Sequence, residues 1–98
     1  MVLNQICREL EKEREIVSRI TEATERWIAN FALDIAKAAA TRHDYGWQLK
    51  AWYNKNEGEA VRLREAIEAL KTGSDTAKEF ANRLEWCVTH ATDFFNED

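Results

Sequence analysis

The chain has 98 residues, a formal net charge of −4, no proline and three glycines. Hydrophobic residues make up 45% and charged residues 33%, which excludes simple disorder and fits one soluble helical domain spanning 1–98. The scarcity of glycine and proline argues against a turn-rich all-β fold, and Cys7 and Cys87 cannot build a disulfide scaffold.

Two cysteines at most point to a reducing, cytoplasmic setting. No run of about 18 apolar residues is present, so no membrane partner is expected. Residues 1–20 lack the apolar core of a secretory signal. The excess of negative charge falls in residues 72–98, where Lys78 and Arg83 face Asp75, Glu79, Glu85, Asp93, Glu97 and Asp98. Such a balance disfavours nucleic-acid binding, which needs cations to displace counterions from phosphate. It permits a protein partner with a basic surface, beside the plainer reading of a solvated acidic face that aids solubility.

The first predicted element is a long helix over about 3–42. A heptad seam runs through Leu3, Ile6, Leu10, Val17, Ile20, Trp27 and Phe31, with Glu13 and Thr24 as its polar exceptions. Residues 28–40 are apolar on most sides, so this half is expected to be buried among neighbours. Only Asn30, Asp34 and Lys37 are polar there, on one narrow stripe.

The second predicted helix covers about 45–71, continuous or kinked near Gly58, with a break and restart over 54–59 left open. Its stripe is Tyr45, Leu49, Trp52, Ala60, Leu63, Ala66, Ile67 and Leu70. Gly73 is placed to end it in a left-handed conformation. The third helix, about 75–95, can be capped by Ser74, Asp75 or Thr76, and Thr76 with Glu79 has capping-box spacing.

The three lengths differ, at roughly 60, 40 and 30 Å. An antiparallel three-helix bundle of these elements leaves the start of the first helix uncovered. The expectation is therefore a coiled-coil-like homodimer through Leu3, Ile6, Leu10, Val17, Ile20 and Leu33. The alternative is a break near Thr21–Thr24 and a closed monomeric four-helix bundle.

Chemistry-bearing residues are few. Cys87, His90 and Asp93 are the only metal candidates, and one helix does not fill a tetrahedral site, so no metal or other cofactor is expected. No catalytic residues are assigned, and the chain is read as a non-enzyme. Glu22/Glu25 and Glu65/Glu68 each look like the E-x-x-E half of the magnesium site of MazG-type all-α pyrophosphohydrolases. No aspartate follows a glutamate by three residues, so the E-x-x-D half is missing and the resemblance is set aside. The small helical hairpins with a Trp-x-Gly turn are set aside too, because the turn here reads Tyr45-Gly46-Trp47.

Four tryptophans remain to be placed. Trp27 and Trp52 fall on apolar stripes and are read as core. Trp47 and Trp86 point away from theirs, and tryptophan and tyrosine anchor many interfaces. The candidate partner contacts are thus Trp47, Trp86 and Tyr53, with Glu79 and Asp93 on the face of Trp86. The function expected is protein binding, as a small inhibitor or anti-defence type of protein that occludes a larger one. A coiled-coil assembly adaptor and a small metal-binding bundle or enzyme are the alternatives.

Overall fold

The computed structural model describes residues 8–43, 46–56 and 58–90. Among these residues six helices are present and no strand. Helix α1 covers 8–12, α2 Arg14–Ser18, α3 Ala23–Arg42, α4 Gly46–Tyr53, α5 Gly58–Lys71 and α6 Asp75–Thr89.

The expected helix over 3–42 is broken. The chain turns at Glu13 and again over 19–22. Glu22 is extended (φ −80°, ψ 125°), and its carboxylate accepts from the Glu25 backbone N–H at 2.7 Å, capping α3. Arg26 Nη1 donates to the carbonyl oxygens of Ile20 (2.9 Å) and Thr21 (3.5 Å). These two side chains satisfy the polar backbone groups that a helix end leaves open.

The break lets the N-terminal segment fold back onto α3. Arg14 donates to Asn30 (2.9 Å) and Asp34 (3.3 Å), and Lys37 donates to Glu11. Here the polar stripe of α3 finds its partners. The apolar side of the same segment enters the core: Leu10, Val17 and Ile20 are buried, as is Leu33. This corrects the expected dimer seam, because those four residues are covered by the chain's own helices. Leu3 and Ile6 lie outside the described residues.

The expected helix over 45–71 is divided as well. Gly58 opens α5 at φ +56°, a left-handed conformation that costs an L-residue about 1–2 kcal/mol. The Arg64 guanidinium holds the connection, donating to the carbonyls of Tyr53 and Lys55 and to Asn56 Oδ1. At the third helix, Ser74 is the N-cap, its Oγ accepting from the Ala77 N–H at 3.2 Å, so Thr76 does not cap. Gly73 does not have the positive φ expected of it. It serves as open space instead, since a Cβ there would meet the Glu25 carboxylate. The described part of α6 ends at Thr89, and 91–95 lie outside the described residues.

The core is built on the alanine face of α3. Ala29, Ala32, Ala36, Ala39 and Ala40 are fully buried and let α5 and α6 approach closely. Leu63, Ile67 and Leu70 come from α5, Phe80, Leu84 and Val88 from α6, and Leu49 from α4. Each such large side chain contributes about 1.5–3 kcal/mol through burial. The Cα radius of gyration, 12.7 Å, matches the roughly 13 Å of a single compact domain this long.

Glu25 joins the starts of the two longest helices. Its Oε2 accepts from the Ser74 N–H (2.9 Å) and its Oε1 from the Ser74 hydroxyl (2.7 Å). The starts of α3 and α6 are thereby joined, and α5 packs against both helices.

Candidate functional site

Helix α6 turns Ala77, Ala81, Leu84 and Val88 inward, which places Trp86 on its outer side. Trp86 is 47% exposed. Its indole stacks on the His90 imidazole, with centroids 4.8 Å apart and planes 12° from parallel. His90 is held in turn, its Nδ1 lying 2.9 Å from Thr89 Oγ1 and 3.1 Å from the Trp86 carbonyl oxygen. The result is a fixed, outward-facing aromatic surface. Glu79 is exposed on the same side of α6.

Beside Trp86 is an open cleft of about 410 Å³, lined by Glu9, Glu13, Asn82, Arg83 and Cys87. It separates α1 from α6. Glu13 is only 4% exposed, and its carboxylate accepts from Arg83 Nε (2.8 Å) and Nη2 (3.1 Å). Those bonds raise the Arg83 pKa above its ordinary value. Burial, with the Glu13 charge adding to it, pushes the Cys87 thiol up to about 11. A thiol so shifted carries little thiolate at neutral pH, so Cys87 is a poor nucleophile and ligand. Among the described residues no three His, Cys, Asp or Glu side chains converge as a metal site, and Asp93 lies outside them.

Tyr53 is not a surface contact. It is 3% exposed, and its hydroxyl donates to Glu85 Oε2 at 3.1 Å. Lys71 donates to Glu85 Oε1 at 2.7 Å, so one carboxylate ties α4, α5 and α6 together. Burial first, and the Glu85 charge second, raise the Tyr53 pKa above its ordinary value. The side chain of Trp47 lies outside the described residues.

Trp27 is the reverse case. Expected in the core, it is 66% exposed and stacks on Phe31, with centroids 5.6 Å apart and planes 7° from parallel. Phe31 is exposed too. The heptad phase carried forward from Leu3 does not survive the break at 19–22. The phase of α3 is set by its alanines, and at about 100° per residue Trp27 lies diametrically opposite Ala36. Reading the alanines first would have found it. Trp52 is half-buried against the core, close to its expected place.

Two aromatic patches thus stand on the outer faces of two different helices, and both lie beside charged side chains. No helix is long and apolar enough to cross a membrane among the described residues. No protein-family model, curated protein or solved structure matches this chain.

Proposed function

We propose that this chain is a non-enzymatic protein-binding module that occupies, and so blocks, a surface on a larger protein, with Trp86 at the centre of the contact. The observation that carries this reading is the Trp86–His90 stack, an exposed tryptophan already fixed in one orientation. A pre-ordered aromatic loses little side-chain entropy on binding, which is why tryptophan is frequent among the residues that dominate interfaces. Glu79 is exposed two turns before Trp86 on the same side of α6, and Glu9, paired with Lys12, lines the cleft beside it. An arginine or lysine of the partner placed over the indole would gain both a cation–π contact and these carboxylates. The partner surface that fits is therefore basic.

The adaptor reading loses its surface, because Leu10, Val17 and Ile20 are internal. Parallel affinity capture with the full chain and with Trp86→Ala tests the proposal, with Glu68→Ala as a surface control. A basic partner retained by the parent chain and the control, and lost with Trp86→Ala, supports it. Equal retention by all three, or no specific partner at all, overturns it.

A further inference from the structure

The outer face of α3 has a pattern that the contact at Trp86 does not use. Trp27, Phe31, Ala38 and Arg42 follow one another along it, all exposed. A hollow of about 260 Å³ opens beside them, lined by Phe31, Asp34, Ile35, Ala38, Arg42 and Glu59. Among the described residues Arg42 has no ion-pair partner, while Asp34 is already paired with Arg14 at 3.3 Å.

The stripe is complementary to itself. A second α3 laid antiparallel across the first, with the two-fold axis between Asp34 and Ile35, brings Phe31 of each copy over Ala38 of the other. In the same register each Trp27 meets the other copy's Arg42. Each Phe31 meets a small side chain, and each Trp27 meets an arginine that has no ion-pair partner among the described residues. Asp34, near the axis, comes close to its symmetry mate, and each copy's Arg14 offsets that charge. An isologous contact needs this correspondence, in which residue i meets j and j meets i. A foreign partner gives no reason for it.

We infer that the outer face of α3 is a self-association surface, whose occupant is the α3 of a second copy of this chain. Two-fold pairing buries Trp27 and Phe31 of both copies at once. The stripe from Trp27 to Arg42 is about 22 Å long, so the contact is small and the dimer weak. The contact is separate from Trp86, so either can fail without the other.

Light scattering on the full chain at about 100 μM, where a micromolar dimer is nearly saturated, tests this directly. The expected mass is twice the 11.4 kDa of one chain. Phe31→Ala and Arg42→Glu each weaken the dimer at least tenfold with helical content unchanged, while Trp86→Ala leaves it intact. Single cysteines, in a background with Cys7→Ser and Cys87→Ala, then read the register. Asp34→Cys, beside the axis, cross-links to its own copy under mild oxidation. Ala38→Cys, about 10 Å along the helix from its symmetry mate, does not. A monodisperse monomer, a dimer indifferent to Phe31→Ala and Arg42→Glu, or the opposite cross-linking pattern overturns the inference.

Discussion

Glu13 and Arg83 are joined by two hydrogen bonds, at 2.8 and 3.1 Å, although 70 positions separate them in the chain. The carboxylate is the buried partner, while the Arg83 side chain is about half exposed. Removing either residue therefore has unequal consequences. Arg83→Ala leaves a buried charge without its cation and should cost about 2–3 kcal/mol in urea denaturation. Glu13→Leu removes the charge itself and fills the seam with an apolar side chain, so it should cost less or nothing. A larger loss for Glu13→Leu than for Arg83→Ala would reject this account.

A second long-range tie fixes the start of α6. Ser74 caps the helix with its Oγ and gives its own N–H and hydroxyl to Glu25. Ser74→Ala should cost about 1 kcal/mol as a lost cap, and more because Glu25 loses one of its donors. Gly73→Ala tests the same joint without touching a polar group. Its new methyl group displaces the Glu25 carboxylate, so thermal unfolding should show a loss similar to that of Glu25→Ala. The double variant should then be no worse than either alone.

The helical class, the buried alanine face within 28–40 and the turn at 72–74 are legible because each rests on local periodicity or on a cap, whereas Phe31 and Ala38 of the same stretch are exposed rather than buried. The break at 19–22 is legible only as the alternative near Thr21–Thr24, because no local signal marks it. It contains no glycine, proline or asparagine. It is held by Glu22 acting as cap and by Arg26 reaching back to two carbonyls. Both are ordinary surface residues of a helix until the chain has turned. A heptad phase carried unbroken through 19–22 puts Trp27 inside, whereas the phase of α3 alone puts it outside. Tyr53 was misread for a different reason. Its hydroxyl needs the Glu85 carboxylate, which only tertiary packing brings near it. The outward placement of Trp86 is legible because α6 is unbroken through it and its apolar stripe is clear.

Gly58 is the second hinge in the chain, and its role is conformational. A Cβ there would touch nothing within 4 Å, so space is not what requires glycine. The φ of +56° is. Gly58→Ala should therefore cost about 1–2 kcal/mol, and Gly58→Asn less, since asparagine tolerates this region better. Chemical denaturation of the two variants distinguishes them; equal costs would point to another cause.

Glu85 should make stability depend on pH from both sides. The hydrogen bond from Lys71 lowers the Glu85 pKa below the ordinary 4.5, with the Tyr53 hydroxyl adding to it against some desolvation. A carboxyl depressed in the folded state contributes stability that is present above the unfolded value and is lost as pH falls through the folded one. Glu11, lowered chiefly by its bond from Lys37, acts in the same acid window. At the alkaline side the signs reverse. Tyr53 is raised above 10.0 by burial and the Glu85 charge, and Lys71 above 10.5 chiefly by its bond to Glu85. Their contributions are complete below those unfolded values and are lost as pH rises through the folded ones. The urea midpoint should thus be flat near neutrality and fall below about pH 4.5 and above about pH 10. Glu85→Gln should lower the neutral plateau by about 1 kcal/mol, since the pair is partly solvated. It should also make both flanks shallower, leaving the acid loss that belongs to Glu11. Flanks as steep as those of the parent chain would show that the pH dependence arises elsewhere.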